Sequence, residues 1–330
     1  MGYQYPVNLL AQRIFDAMAN GAVYASLAVA LTMVYRASGV LNLAQGEMAM
    51  ISAYVAALLR SEVVDPESGL LPPRPFFGAE LFSYLGTPWP VWAAILGAMV
   101  FGAALGAVIQ RFVIQPIDGV DPLPAVGALL GLFLLFRGLA IKWWGGSLRE
   151  VGSPFPSELE DRFDVFGARL RFETIGIVVT LLLVLGALGL IQRRTKIGLA
   201  FRALVSDPTS AQLMGIRVGS VLMIGWAIAA ALGALGGGLI ANQLRVGPNM
   251  MARLLVFALA AAILGGLGNP VGAVIGGFAF ALLETLLIGY VSFVTSDVAL
   301  VYTLGVLILV LVVRPGGIFG TSATVKADRV

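Results

Sequence analysis

Apolar runs of eighteen residues or more recur from one end of this chain to the other, and they decide what it can fold into. A run that long matches the hydrocarbon thickness of a bilayer when helical, about 20 residues at 1.5 Å each, and it exceeds what one buried core needs. Composition agrees, with 59% hydrophobic residues, 12% charged residues and a mean hydropathy of +0.93. Soluble domains sit near 45–50% apolar and about 25% charged. The chain is therefore expected to be an all-α, polytopic integral membrane protein, a helical bundle with residues 1–330 forming a single membrane domain.

Spans are read at roughly 13–35, 41–60, 91–113, 124–143, 174–191, 219–241, 254–267, 270–290 and 298–313. The run at 254–267 is short and ends in Gly265-Gly266-Leu267-Gly268-Asn269-Pro270, which suits a half-helix that enters and turns back. Such a re-entrant piece is tolerated only where protein or a cavity covers its backbone. The stretch Ser38 to Glu47 is similarly open to two readings, so the count is eight or nine. The first apolar run, Asn20 to Val34, lacks a basic leader and is expected to stay in the membrane.

Several chemistries are excluded. There is no cysteine and no histidine, which removes disulfides, thiol catalysis and the usual zinc or haem ligands. No G-x-S-x-G, H-E-x-x-H or Walker A sequence occurs, so any ATP hydrolysis must lie on another chain and no cofactor is expected. The net charge of +3 belongs to span flanks and sets topology, with no implication of nucleic-acid binding.

Topology follows Lys and Arg at span ends. The densest cluster, Arg193, Arg194, Lys196 and Arg202, should be cytoplasmic, and alternation puts Arg36, Arg111, Arg314, Lys326 and Arg329 on the same side. Loops 61–90 and 144–173 then fall outside, holding ten of the 18 carboxylates but also Arg74, Arg149, Arg162, Arg169 and Arg171. With nine crossings the N-terminus is outside and the C-terminus inside. Around Gly167, the sequence Phe163 to Glu173 alternates apolar and polar residues, as a small hairpin does. It serves either as a docking surface for an extracytoplasmic partner or as a solvated connector.

The polar insert 192–218, read as cytoplasmic, matters more than any other feature of the chain. It carries a short amphipathic stretch, Lys196 to Leu204, and then Ser206-Asp207-Pro208 through Ala211, Met214, Gly215, Ile216 and Arg217. A membrane subunit needs such an insert if something outside the bilayer is to push on it, and a passive pore does not. Within the spans, Glu284 either lines a path or holds a neighbouring helix by a hydrogen bond, the second being preferred. Lys142 is expected to snorkel, whereas Arg137 lies deeper and can pair with a carboxylate such as Glu47. Asn42, Gln45 and Glu47 suit a polar pathway or a helix cap. Gly102/Gly106, Gly127/Gly131, Gly233/Gly237 and Gly272/Gly276 are small-xxx-small pairs, read mainly as tight helix packing.

These residues resemble, nearly end to end and in order, the inner-membrane permeases of bacterial ABC importers for branched-chain amino acids and related amides or urea. The blocks are Asn20 to Tyr35, Leu41-Asn42-Leu43-Ala44-Gln45-Gly46-Glu47, Arg202-Ala203 through Met214-Gly215-Ile216, Ile263 to Gly277 with Glu284, and Arg314 to Gly320. Gln45 stands where the family usually has His, Arg137 where a neutral polar residue is expected, and loop 61–90 is longer than usual. The resemblance implies ABC ATPase subunits pressing on residues 203–217, with Arg202, Ala203, Asp207, Ala211, Met214, Gly215 and Ile216 at the coupling contact. It further implies a periplasmic binding protein outside and a second homologous permease, a heterodimer being favoured, all in membrane lipid. Two other classes compete: a secondary transporter or channel using the glycine-rich segment 263–277 as its site, and an intramembrane enzyme, which the missing catalytic residues disfavour.

Overall fold

The computed structural model describes residues 6–60, 89–117, 122–146, 148–158, 160–165, 167–291, 295, 298–314 and 316–319. Most of the loop 61–90 and the tail from Gly320 lie outside these residues. Eleven helices and one hairpin occupy the described residues. In order they are α1 (Pro6–Ser38), α2 (Gln45–Arg60), α3 (Val91–Ile109), α4 (Pro122–Trp144), β1 (Arg162–Val165), β2 (Ala168–Arg171), α5 (Phe172–Arg194), α6 (Lys196–Ser206), α7 (Pro208–Leu213), α8 (Val218–Leu244), α9 (Met250–Gly265), α10 (Pro270–Tyr290) and α11 (Ala299–Val313). A π-helical turn, Gln110–Ile114, and a 3₁₀ turn, Gln115–Ile117, extend α3.

Each sequence-read span has a helix beneath it, though lengths differ. Among the described residues six helical stretches are long and apolar enough to cross a bilayer: Leu9–Ser38, Val91–Ile117, Leu123–Trp144, Phe172–Arg194, Val218–Leu244 and Pro270–Tyr290. Three more apolar helices, α2, α9 and α11, have 16, 16 and 15 residues. At 1.5 Å per residue these are about 22–24 Å long, short of the roughly 30 Å hydrocarbon core. Helix α1 starts at Pro6, earlier than the span read from 13, and so takes in Gln12. Where a span was read from 41, the helix starts at Gln45, after a turn at 41–44.

The chain divides into two compact units, each discontinuous in sequence: 1–39, 155–221 and 254–330 form one, and 40–154 with 222–253 form the other. In the first unit α1 is the most enclosed span, 89% buried over its most apolar window. It lies backbone to backbone on α10, since a Cβ added at Gly277 would come within 2.5 Å of the Ala25 nitrogen. Helices α9 and α10 form an antiparallel hairpin through Gly266–Asn269, where Asn269 caps α10 by accepting from the Val271 N–H at 3.1 Å. Gly265 and Gly276 sit so close to the Gly272 and Ala261 carbonyls that no side chain could stand there. Lipid supplies no hydrophobic drive between helices, so this close van der Waals packing takes its place.

The hairpin expected around Gly167 is present, with Arg162 opposite Arg171 and Val165 opposite Ala168. Gly167 has φ +73°, the left-handed conformation that a two-residue turn demands and that glycine adopts without strain.

In the second unit α3 packs on α8 through Gly106, whose Cβ would approach the Trp226 carbonyl to 2.6 Å, and through Gly102 beside Ala234. Gly127 and Gly131 behave differently, with open space around both. They lie on α4, which is only 22% buried over its apolar window, so that pair packs against nothing among the described residues. Arg60 closes the far end of α2, donating from Nε to the Val151 carbonyl and from Nη1 to that of Trp89, both at 3.1 Å.

Candidate functional site

The residues singled out in the sequence fall into three places. Two are buried polar groups in the membrane-spanning part and the third is the exposed knuckle α6–α7.

In the second unit, Asn42, Gln45 and Glu47 gather at the start of α2, each at most 1% exposed. Asn42 Oδ1 accepts from the Ala44 N–H at 3.1 Å, and its Nδ2 donates to Gln45 Oε1 at 3.0 Å. Gln45 Nε2 in turn donates to the Ala229 carbonyl on α8 at 2.8 Å. Every amide hydrogen committed to such an acceptor is one that need not face hydrocarbon bare. The group therefore caps α2 and fastens it to α8. A neutral amide at position 45 suits this role, because it donates and accepts at once.

Glu47 lies in the first turn of α2, with its Oε1 3.4 Å from Arg137 Nη2 on α4. The pairing anticipated from sequence is thus present. The Arg137 guanidinium also sits 4.9 Å from the centre of the Phe133 ring, a cation–π distance. Glu284 belongs to the other unit. It is 6% exposed and accepts from the Tyr24 hydroxyl at 2.9 Å, tying α10 to α1. Holding a neighbouring helix is the role preferred from the sequence.

One residue escaped notice. Gln110 is fully buried at the start of the π-helical turn, and among the described residues neither of its amide atoms has a hydrogen-bond partner. Its signal was a lone glutamine in the run 91–113, overlooked because it is uncharged; π-turns of this kind recur at functional sites.

The knuckle is built from unusually complete local chemistry. Thr195 caps α6, its hydroxyl accepting from the Gly198 N–H at 3.1 Å, and α6 buries Gly198, Phe201 and Leu204 on one face. Helix α7 has six residues, far too few to persist alone. It is fixed at both ends instead. Asp207 caps its N-terminus, accepting from the Thr209 N–H at 2.9 Å and from the Ser210 hydroxyl, with Pro208 preset for the first turn. At the C-terminus the Ile216 N–H donates to the Ala211 carbonyl at 3.0 Å and the Gly215 N–H to that of Gln212 at 2.9 Å. This is a Schellman motif, with Gly215 at φ +82°.

Of the predicted coupling residues, Ala211 is buried as the floor of this helix, while Arg202, Asp207, Met214 and Gly215 are exposed and Ala203 and Ile216 are half-buried. The apex presents Leu213, 85% exposed, beside Met214, 69% exposed. Arg193, Arg194, Lys196, Arg202 and Arg217 surround it in sequence. An exposed apolar tip on a helix braced at both ends is suited to contact with another protein.

Hydrogen bonds from the Ser210 hydroxyl, then from the Ser210 and Thr209 N–H groups, hold the Asp207 carboxyl below its ordinary range. A carboxylate depressed in the folded state stabilises it above the unfolded value, and that contribution disappears only as pH falls through the lower folded value. The cap should therefore stay charged from about pH 5.5 to 8. Asp207→Asn retains an acceptor and should keep most of the amide hydrogen-exchange protection of α7, at a ratio to wild type that is flat over this range, whereas Asp207→Ala should lose much of it. Hydrogen exchange at several pH values checks both.

The fold and these sites define a multi-pass helical membrane protein with a braced, exposed knuckle. A profile described as branched-chain amino acid transport system / permease component matches residues 13–313, and the chain belongs to that family. It is similar to the high-affinity branched-chain amino acid transport system permease protein LivH of Salmonella typhimurium, 29% identical over 312 residues covering 94% of this chain and 95% of that one. BraD of Pseudomonas aeruginosa, a permease protein of the same description, is 27% identical over 314 residues, covering 94% and 95%. The probable LivH of Methanocaldococcus jannaschii is 30% identical over 307 residues, covering 89% and 87%.

Proposed function

We propose that this chain is a membrane-spanning subunit of an ATP-driven importer that carries branched-chain amino acids or related small amides across a bacterial inner membrane. An extracytoplasmic binding protein delivers the solute, a second, homologous permease completes the pore, and ABC ATPase subunits drive it. The N-terminus lies outside and the C-terminus in the cytoplasm.

The observation that carries the reading is helix α7, capped at both ends and displaying Leu213 and Met214 at its apex. Motion of an ATPase reaches a membrane helix only through an element stiff enough to transmit it. Here the element leads back through α6 to α5, a span of 23 residues or about 34 Å. Family membership supports the same reading. The glycine-rich segment 263–277 gives little support to a channel or secondary-transporter site, since Gly265, Gly272 and Gly276 are packed backbone to backbone with no space for a solute.

The test is a gentle-detergent purification of the tagged chain from its native membranes, with the co-purifying chains identified. The importer reading expects an ATPase subunit and a second multi-span protein. A chain that comes down alone, with no ATPase trapped by cross-linking, would contradict it.

A further inference from the structure

The hairpin β1–β2 stands at the opposite end of α5 from the knuckle, because it leads directly into Phe172 while Arg194 leads into α6. A cleft of about 260 Å³ opens there within the first unit, bordered by Gln12 and Asp16 of α1, Arg162, Arg169 and Arg171 of the hairpin, and Thr174 of α5. Its lining carries three arginines against one carboxylate.

Two of the hairpin's four cross-strand pairs are charged and share one face. Arg162 stands opposite Arg171, like charges that are destabilising, whereas Arg169 stands opposite Asp164. Arg171 is partly compensated, with Nη2 3.6 Å from Glu173 Oε2 and 3.3 Å from the Ser157 carbonyl it donates to. The guanidinium groups of Arg162 and Arg169 form no ion pair among the described residues.

The backbone beneath them is nevertheless held in place. Gln12 Oε1 accepts from the Arg169 N–H at 2.7 Å, and Gln12 Nε2 donates to the Arg169 carbonyl at 3.3 Å and to Asp16 Oδ1 at 2.8 Å. One glutamine thus grips both backbone polar groups of Arg169.

We propose that this cleft is the docking site for a carboxylate-bearing surface of the extracytoplasmic binding protein, a proposal that rests on the importer reading above. Guanidinium groups recognise carboxylates in a fixed, two-pronged geometry, and a preset backbone reduces the ordering that docking requires. Asp16 favours a protein occupant over a lipid phosphate. It repels a phosphate, but a protein surface can offer a carboxylate to Arg162 and Arg169 and a basic group to Asp16.

The test uses the whole assembly, with this chain, its partner permease and ATPase subunits reconstituted in vesicles of phosphatidylethanolamine and phosphatidylglycerol. The probe is the purified binding protein of the same importer, and the readout is the concentration giving half-maximal stimulation of ATP hydrolysis. Arg162→Glu with Arg169→Glu should raise that concentration about tenfold or more, and added salt should raise it for the wild type. Arg162→Lys with Arg169→Lys keeps the charge but loses the two-pronged geometry, so it should fall between wild type and the reversed variant, which separates a charge effect from misfolding. An unchanged half-maximal concentration in the reversed variant overturns the proposal. So does a wild-type assembly in phosphatidylcholine vesicles that loses stimulation as the reversed variant does, since the cleft would then serve a lipid headgroup. If no ATPase subunit joins the wild-type chain at all, the importer reading itself falls first.

Discussion

Uptake by a Gly215→Arg chain should drop to background while the chain still inserts into the membrane at wild-type level. Nothing lies within 4 Å of the position a Cβ would take, so the substitution creates no clash. The damage comes from the backbone. Gly215 holds φ +82°, where an L-residue costs about 1–2 kcal/mol, and that conformation closes the Schellman motif ending α7. The arginine also sets a charge beside Leu213 and Met214, the apolar apex that we assign to the ATPase contact. Gly215→Asn tolerates the same φ and should retain much of the uptake. Parallel uptake assays and membrane immunoblots check this. Normal uptake with arginine at 215 would remove the coupling role from this segment.

Arg137→Met should destabilise the chain by about 3–5 kcal/mol, because it leaves a buried carboxylate without its partner. Glu47 has a side chain only 2% exposed, against 27% for Arg137, so the two ends of this pair are unequal. Glu47→Gln should therefore be milder, since the arginine left behind can still reach polar surroundings and the Phe133 face. The double variant Glu47→Gln with Arg137→Met should recover most of the loss, as replacing both members of a buried pair often does. Unfolding midpoints of the four chains in mild detergent give the coupling directly. Strict additivity would mean that the ion pair contributes nothing.

How much of this was legible beforehand depended on the range of each interaction. Arg137 and Glu47 could be matched from sequence because a charge in an apolar run demands a counter-charge, and few candidates exist. Glu284 could be seen as a tie, but Tyr24 lies 260 residues away and carries no charge to betray it. The hairpin around Gly167 showed itself through alternation and a turn residue, both local. Its clamp by Gln12 did not, since that bond joins residues 157 apart. Hydropathy underestimated α1 for the same reason: Gln12 falls before the span read from 13, yet Asp16 and the hairpin's backbone satisfy it within the helix. The division into two units was invisible, because its boundaries near 222 and 254 fall inside the apolar helices α8 and α9, where composition does not change. The exposed Leu213 was passed over because six residues give too little periodicity to tell an outward face from an inward one.

The central claim is that transport by this chain is driven by ATP through the α6–α7 knuckle. It is tested most directly by measuring solute accumulation in proteoliposomes that hold the assembled complex, with and without ATP on the knuckle side and with and without a proton gradient. The account predicts accumulation of a branched-chain amino acid that requires ATP, persists when an uncoupler removes the gradient and vanishes with Gly215→Arg. Accumulation that survives without ATP but collapses with the gradient would contradict it and return the chain to the secondary transporters.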